Sequence, residues 1–341
     1  MRIKKVRLKK NATETLAIFH NGHWIPLHPA LKAMKKAGQQ GPSLEKVAHD
    51  LIAFLQAYPN LKTELDALLQ FVESEHQYFD DQIKEESLLP FQPLSFRDFS
   101  IWEAHFIQAK WGLIQRFLPG KAKVLRMYQK LTGKPHPKML PPPMFYQVPV
   151  YYMGNHLQFY PDGAEIPWPQ YSQLLDYELE IGVILSRPLY NASPEEALDA
   201  IGGFTLINDF SARDQQVKEF LEGPFGPVIK TKNFATSMAA EVVTADEILP
   251  RFESLKATVR VNGEVWGSGQ TANPTHSLGQ MVAYASLEEK LFPGEILGTG
   301  TIPGCSGVEV DRWIQPGDEV LLEVEGLTTL QNRIGKPAAG S

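Results

Sequence analysis

Cysteine is nearly absent from this 341-residue sequence, since Cys305 is its single example. One cysteine excludes an internal disulfide framework and a multi-cysteine zinc site, and it is typical of a reducing compartment such as the cytoplasm. Long apolar runs are also missing, because none reaches the ~18 residues that suggest a membrane-spanning helix. We therefore expect a cytoplasmic protein with no membrane partner.

The sequence has no basic excess, since 33 Lys and Arg residues face 39 Asp and Glu residues and the net charge is −6. Nucleic-acid-binding proteins usually present a basic face, so no nucleic-acid partner is expected. The first ten residues, MRIKKVRLKK, are a basic exception. No apolar signal-peptide core follows them, so we interpret them as a solvated edge strand rather than a targeting or membrane segment.

The N-terminal third combines strand and helix patterns. Residues 1–28 predict two short strands with a hairpin turn at Asn21-Gly22. Apolar residues then recur at helical spacing in three runs, and Ser43 is a plausible cap for the first of them. The predicted helices cover residues 43–58, 60–78 and 97–118.

The rest of the chain predicts a mostly β domain. Proline-rich residues 133–145 favour an extended connection, and after them short β-rich runs alternate with Gly and Pro turns. Only two short helices stand out there, one with a capping box at Ser193 and one near Leu278–Ser286. The pattern predicts an α+β fold with a smaller N-terminal module at 1–130, a connection at 131–150 and a β domain at 151–341.

The sequence DYELEI at 176–181 carries the densest chemistry. Side chains alternate faces along a strand, so Asp176, Glu178 and Glu180 share one face. Three carboxylates in a row repel one another unless a positive charge lies beside them. One interpretation is a solvated outer face, and the other is a site for a hard cation that prefers oxygen ligands.

Two further clusters have both an ordinary and a functional interpretation. In NDFSARDQQ at 208–216, Asp209 and Arg213 follow an apolar strand, where active-site groups are common, although a capped helix start fits as well. In GPFGPVIKTK at 223–232, turn residues lead to Lys232, which is either aimed at a site or simply on the surface.

Asp98 and His105 lie seven residues apart on the third predicted helix and would face the same way, although a single histidine is usually an ordinary surface or core residue.

Taken together, these segments resemble the fumarylacetoacetate hydrolase family. The resemblance runs from about Phe96 to Arg333 and rests on Asp98 and His105 followed, in family order, by DYELEIGVIL, INDFSARDQQ, GPFGPVIKTKNFAT and GTGTIPG. It implies a C-terminal mixed β-roll that binds a divalent cation, preceded by a smaller N-terminal module.

The resemblance also implies roles for individual residues. The metal ligands would be Asp98, Glu178, Glu180 and Asp209, and the residues that support the metal site would be Lys232 and Thr236. The catalytic group would be His105 as general base, Glu309 as its orienting partner, and Arg213 and Lys232 as stabilisers of the leaving anion. The substrate-contact positions would be Ser100, Tyr152, Gln216, Phe220 and Thr301. Asp176 is expected to lie outside the metal-ligand set.

Three features depart from the family pattern. Ser100 and Phe220 stand where the enzymes that give the family its name carry substrate-contacting tyrosines. Their substrate-binding arginine has no counterpart that we can place in the Lys110–Arg116 stretch. The helical segment 31–90 does not resemble the small β-barrel that opens those enzymes. These differences concern the substrate more than the metal.

The implied activity is hydrolysis of a carbon–carbon bond in a 1,3-diketo acid, with Mg²⁺ or Ca²⁺ as cofactor and a homodimer as the assembly. The family scaffold also supports decarboxylation, dehydration and isomerisation of 2-oxo acids. Retention of both Asp98 and His105 favours hydrolysis, since those reactions need no positioned attacking water. A cation-stabilised binding protein without turnover is the alternative from a different class.

Overall fold

A computed structural model describes residues 1–224, 226 and 228–337 of the chain. Phe225 and Pro227 of the turn-rich motif, and residues 338–341 of the predicted β domain, lie outside the described residues. Within the described ranges, no helix combines the length and the apolar character required to cross a membrane.

The chain opens with three antiparallel strands and three helices. They are β1 (Arg2–Arg7), β2 (Glu14–His20), β3 (His23–Pro26), α1 (Leu27–Lys36), α2 (Pro42–Val47) and α3 (Leu51–Ser74). The predicted hairpin at Asn21-Gly22 is confirmed, since both residues have positive φ angles of 48° and 86° and the flanking residues His20 and His23 pair. The prediction of two strands in this segment was one strand short.

The expectation that the basic N-terminal segment is a solvated edge strand was wrong. Strand β1 pairs on one side with β2 and on the other with Glu241–Thr244, so both of its edges are hydrogen-bonded. Its apolar residues Ile3 and Val6 are buried, whereas Lys4 lies over the ring of Trp24 at 4.2 Å. The long methylene chains of Lys and Arg can lie along apolar surface while their charged ends reach solvent, so a basic segment is compatible with an interior strand.

The first two predicted helices are divided differently in the structure. The predicted boundary at Pro59 is instead inside α3, and the break falls between Val47 and Leu51, where Asp50 caps α3 by accepting a hydrogen bond from the N–H of Ala53 at 3.0 Å. Ser43 is not a cap, because it lies inside α2. Proline removes one backbone donor, but burial of apolar residues on both sides of it keeps the helix continuous.

The middle segment corrects the third predicted helix. Its elements are β4 (Phe96–Phe99), α4 (Glu103–Phe117), α5 (Pro119–Thr132), α6 (Met144–Gln147) and β5 (Tyr151–Met153). Asp98 therefore lies on a strand and His105 on a helix, so their spacing of seven residues does not correspond to two helical turns. Between α5 and α6 the chain has bends, turns and a short 3₁₀ helix at Pro137–Met139, and the predicted extended segment 133–145 is wrong at its end because α6 begins at Met144.

The remaining elements form most of the sheet structure. They are β6 (Phe159–Pro161), β7 (Glu165–Trp168), β8 (Leu175–Asp176), β9 (Glu178–Leu185), α7 (Pro194–Asp199), β10 (Ile201–Asp209), β11 (Ser211–Ala212), α8 (Arg213–Glu222), β12 (Thr236–Met238), β13 (Glu241–Thr244), α9 (Ala245–Ile248), β14 (Lys256–Val261), β15 (Glu264–Gln270), α10 (Leu278–Ala285), β16 (Ile296–Ser306), α11 (Gly307–Val310), β17 (Glu319–Val324) and β18 (Thr328–Pro337). The two predicted short helices are α7 and α10, each with a capping box, whereas α8, α9 and α11 were not predicted.

The main sheet runs in the order β3-β2-β1-β13-β10-β9-β16-β4-β5, and a second sheet runs β15-β14-β17-β18-β7. One apolar core, with Leu179 and Val183, includes residues of the second sheet, and the other, with Ile184 and Ile207, includes the N-terminal helices. The predicted α+β class is confirmed. The division into 1–130, 131–150 and 151–341 stays a prediction, and strands from both predicted modules share the main sheet.

Candidate metal and active site

Strands β9, β10 and β4 of the main sheet each bring one carboxylate to the same place, and β16 lies between β9 and β4. Glu180 lies on β9, Asp209 ends β10 and Asp98 lies on β4. The register pairs Glu180 with Ile207 on β10 and Asp98 with Gly298 on β16. Because side chains two residues apart on a strand share a face, Asp209 lies on the face of Ile207.

The three carboxylates form a compact, buried cluster. One oxygen atom from each of Asp98, Glu180 and Asp209 lies within 4.8 Å of the other two, and each residue is at most 4% exposed. Burial and the nearby charge of Asp209 raise the pKa of Asp98 to about 8. Burial and the charges of Asp98 and Asp209 raise the pKa of Glu180 well above its ordinary value.

The protein leaves part of this cluster without partners. Asp98 Oδ1 and Glu180 Oε2 are buried and accept no hydrogen bond from the described residues. Gly298 makes room for both, since a Cβ at that position would lie 2.4 Å from Asp98 Oδ1 and 2.9 Å from Glu180 Oε2. A hard divalent cation prefers carboxylate oxygens, so the cluster fits such an ion. Asp98, Glu180 and Asp209 are the residues that could hold it.

Glu178, predicted as a fourth ligand, is not part of this cluster. Its Oε1 lies 2.5 Å from Nη2 of Arg213, and its Oε2 contacts Nζ of Lys232 and accepts a hydrogen bond from Ser211 at 3.3 Å. Burial opposes ionisation, but the charges of Arg213 and Lys232 hold the pKa of Glu178 far below its ordinary range. Its role as a metal ligand stays a prediction.

Asp176 is not one of the three clustered carboxylates, and it has a structural role that the sequence analysis missed. It accepts hydrogen bonds from Nε of Arg213 at 2.8 Å and from the N–H groups of Gly307 and Val308 at 2.7 and 3.0 Å. It thereby ties the arginine to the short helix α11, which carries Glu309. The position of Asp176 on the carboxylate face was the available indication.

Two predicted supporting residues and two predicted substrate-contact residues lie beside Asp209 and Glu180. Nζ of Lys232 lies 2.5 Å from Asp209 Oδ2, and the hydroxyl of Tyr152 donates to the same oxygen at 2.8 Å. The hydroxyl of Thr236 donates to Asp209 Oδ1 at 3.4 Å, and that of Thr301 donates to Glu180 Oε1 at 3.3 Å. The structure thus brings Lys232, Tyr152, Thr236 and Thr301 to the cluster.

His105 extends from the first turn of α4 towards the carboxylates. Its Nδ1 lies 3.1 Å from Oε1 of Glu309, an ion-pair distance outside hydrogen-bond geometry, and its Nε2 lies 3.7 Å from Oε1 of Glu178. Burial disfavours the charged ring, but the charge of Glu309 raises the pKa of His105 above its ordinary value. Glu309 itself accepts hydrogen bonds from the N–H and hydroxyl of Ser306 at 3.1 and 2.8 Å.

The structure links the other predicted substrate-contact residues to the carboxylate cluster only indirectly or not at all. Gln216 accepts a hydrogen bond from Nη1 of Arg213 at 2.9 Å, which attaches it to the ion-paired group. Phe220 is 68% exposed on α8, and Ser100 follows β4 with its N–H bonded to the carbonyl of Val150. No contact of Ser100 or Phe220 with the carboxylate cluster is found among the described residues, so their predicted roles rest on the resemblance.

Comparison with known proteins agrees with this architecture. The family described as fumarylacetoacetate (FAA) hydrolase C-terminal matches residues 123–335, a range that does not include Asp98 and His105. The chain is also similar in fold to the fumarylacetoacetate hydrolase of psychrophilic Exiguobacterium antarcticum, with a TM-score of 0.60, 19% identity and coverage of 98% of this chain and 99% of that one.

Two curated relatives have other activities. The 4-hydroxyphenylacetate degradation bifunctional isomerase/decarboxylase of Escherichia coli is 34% identical over 168 residues, which are 49% of this chain and 36% of that protein. The mitochondrial oxaloacetate tautomerase of Pongo abelii is 30% identical over 189 residues, which are 55% of this chain and 82% of that protein. The chain therefore spans about a third of the first relative and most of the second.

Proposed function

The chain belongs to the fumarylacetoacetate hydrolase family, and from this premise we propose that it is a divalent-cation-dependent hydrolase that cleaves a carbon–carbon bond in a 1,3-diketo acid. The observation that carries the proposal is the His105–Glu309 pair beside Glu178. Lys232 contacts both Glu178 and Asp209 of the carboxylate cluster. Hydrolysis needs a base that activates water next to the polarised carbonyl, and the His105–Glu309 pair is suited to that task.

The cation would be held by Asp98, Glu180 and Asp209, and when bound it supplies Lewis-acid polarisation of the diketo oxygens. Mg²⁺ and Ca²⁺ both suit an all-oxygen site. Nδ1 of His105, 3.1 Å from Oε1 of Glu309, would donate a hydrogen bond to that carboxylate during the proposed reaction, which leaves Nε2 free to act as base.

In the proposed reaction, Nε2 of His105 takes a proton from water as the water oxygen bonds to the acyl carbonyl carbon. The carbon–carbon bond then breaks, and its electron pair leaves on the oxo-acid fragment as an enolate. Arg213 and Lys232 lie beside the carboxylates and would offset that negative charge. Transfer of the proton from His105 to the enolate carbon completes the reaction, regenerates the base and gives a carboxylic acid and a pyruvate-like or acetoacetate-like acid.

Ser100 and Phe220 stand where the enzymes that give the family its name have tyrosines, which argues against fumarylacetoacetate as the substrate. Two hydroxyphenyl groups are absent, so the pocket differs in size and in hydrogen bonding. We propose that some other acylpyruvate is the better substrate, and that the protein acts as a homodimer. A kcat/KM for fumarylacetoacetate above that of every acylpyruvate tested would contradict the substrate assignment.

The experiment that tests the proposal is a product assay on a panel of acylpyruvates with Mg²⁺ or Ca²⁺, with and without a chelator. His105→Ala should lower kcat by about 10²–10⁴, the usual contribution of a general base, while cation binding measured by calorimetry is retained. Gln108→Ala, at an exposed position one turn further along α4, is the matched control and should keep full activity. Near-normal turnover by His105→Ala would contradict hydrolysis.

A second candidate is isomerisation, tautomerisation or decarboxylation of a 2-oxo acid. The names of the two curated relatives favour it, since one is an isomerase/decarboxylase and the other a tautomerase. These reactions need no attacking water. Release of CO₂, or a shifted double bond without cleavage into two acids, would identify them in the same assay.

A further inference from the structure

The segment that carries Lys232 is held by one buried side chain, the carboxylate of Glu219 in the last turn of α8. Glu219 is only 5% exposed. Its Oε1 accepts hydrogen bonds from the N–H groups of Lys230 and Thr231 at 2.6 and 3.2 Å. Its Oε2 accepts from the N–H of Ile229 at 2.9 Å and from the hydroxyl of Thr231 at 2.8 Å. Three consecutive residues are thus bound to one carboxylate.

Further bonds fix the same segment from its other side. The carbonyl of Thr231 accepts a hydrogen bond from the N–H of Ala212 at 2.9 Å, and that of Lys230 accepts from the hydroxyl of Tyr171 at 2.7 Å. Lys232 is the next residue, and its Nζ contacts Glu178 and Asp209. Helix α8, which contains Glu219, begins at Arg213. One carboxylate therefore joins the element that carries the arginine to the segment that carries the lysine.

We propose that Glu219 is a positioning residue that sets the location of the Lys232 ammonium group beside the carboxylate cluster. Its expected kinetic consequence rests on the function proposed above, but its structural consequence does not. An ionised carboxylate can accept all of these bonds, and charge-assisted hydrogen bonds are the stronger kind. A glutamine would turn one acceptor into an NH₂ group facing backbone N–H donors, which breaks part of the set.

Chemical labelling of lysines by an amine-reactive ester, read by mass spectrometry, tests the proposal without any substrate. In the unaltered protein Lys232 is buried and ion-paired, so it should label slowly, whereas the exposed neighbour Lys230 is an internal reference. Glu219→Gln should raise the labelling rate of Lys232 by about 10-fold, because local opening exposes it. The matched control is Glu222→Gln, an exposed carboxylate of the same helix, which should leave the rate unchanged.

A double-mutant cycle tests how Glu219 acts on turnover. Glu219→Gln should lower kcat by up to about 10²-fold, the effect of a misplaced charged group, with little change in KM. In a Lys232→Met background, the same substitution should cause no further loss, since effects that pass through one residue are not additive.

Unchanged labelling of Lys232 in folded Glu219→Gln, or full additivity in the cycle, would overturn the proposal. If Glu219→Gln does not fold, Thr231→Val removes a single hydrogen bond of the set and should give a smaller rise in labelling. No rise with that variant would equally contradict the proposal. Absence of diketo acid turnover in the unaltered protein would count against the proposed function alone, because the labelling result stands without it.

Discussion

The protein treats two groups of buried carboxylates in opposite ways. Glu178 and Asp176 are surrounded by protein cations, since Arg213 contacts both and Lys232 contacts Glu178. Asp98 and Glu180 have buried oxygens with no hydrogen-bond donor among the described residues. The pKa of Glu178 is accordingly lowered, mainly by the charges of Arg213 and Lys232, whereas burial and neighbouring carboxylates raise the pKa of Asp98.

The difference shows where charge is neutralised within the chain and where it is not. A buried ion pair needs both partners, whereas a buried carboxylate without a partner destabilises the fold until a cation or a proton joins it. The first group therefore has its positively charged partners within the protein. The second is suited to an added cation, and the following changes test this contrast from the largest expected effect to the smallest.

Removing the charge of Glu178 should destabilise the protein most. Glu178→Gln leaves the guanidinium of Arg213 and the ammonium of Lys232 short of one buried partner, and breaking such a pair costs about 3–5 kcal/mol. Urea denaturation of cation-depleted protein measures this loss. An unfolding free energy equal to that of the unaltered protein would mean that these ion pairs contribute little.

Removing the charge of Asp98 should instead stabilise the cation-depleted protein. Above about pH 8, where Asp98 is ionised, Asp98→Asn relieves repulsion among buried carboxylates, so the free energy of unfolding should rise by about 1–3 kcal/mol. The same variant should lose the increase in Tm that Mg²⁺ or Ca²⁺ causes in the unaltered protein. A retained cation-dependent increase would exclude Asp98 as a ligand.

The stability of the cation-depleted protein should also depend on pH. The pKa of Asp98 is raised from 3.8 to about 8 by burial and by Asp209, so the folded state holds a proton that the unfolded state releases. The corresponding stability is fully present below about pH 4 and is lost as pH rises through about 8. The gain in Tm on adding cation should therefore grow across this range, and a gain that is constant with pH would contradict the assignment.

The smallest effect is expected at Thr236. Its hydroxyl makes one long hydrogen bond of 3.4 Å to Asp209, so Thr236→Val should change stability by about 0.5–1 kcal/mol and cation affinity only a few-fold. Calorimetric titration with Ca²⁺ measures the affinity. Loss of all cation binding in this variant would show that Thr236 has a larger part in the site than its one weak bond indicates.

The sequence predicted best those features that depend on a local pattern, such as the alternation of side chains along a strand. That alternation predicted that Glu178 and Glu180 share a face, whereas the grouping of Glu180 with Asp98 and Asp209 came from the family resemblance. Asp176, by contrast, accepts hydrogen bonds from the N–H groups of Gly307 and Val308, which lie 131 and 132 positions further along the chain. No local sequence pattern predicts contacts over such a separation.

The incorrect predictions concern places where tertiary contacts override local pattern. Asp98 lies within an apolar stretch that fits helical spacing, but parallel pairing with β16 makes it a strand residue. Pro59 breaks helices in isolation, yet the packing of α3 carries the helix through it. The Arg2–Arg7 segment has the composition of an exposed edge, and its pairing with β13 depends on residues far along the chain.

That distant pairing has a consequence for the order in which the protein is made. Arg2 is paired with Val243, so one edge of β1 has no partner until most of the chain has left the ribosome. At about 5–20 residues per second, this interval is roughly 10–50 s. Until then β1 and the hairpin that follows it form an incomplete sheet with an open edge, the kind of surface on which nascent chains aggregate. Completion of the main sheet is therefore expected to be a late event in biosynthesis.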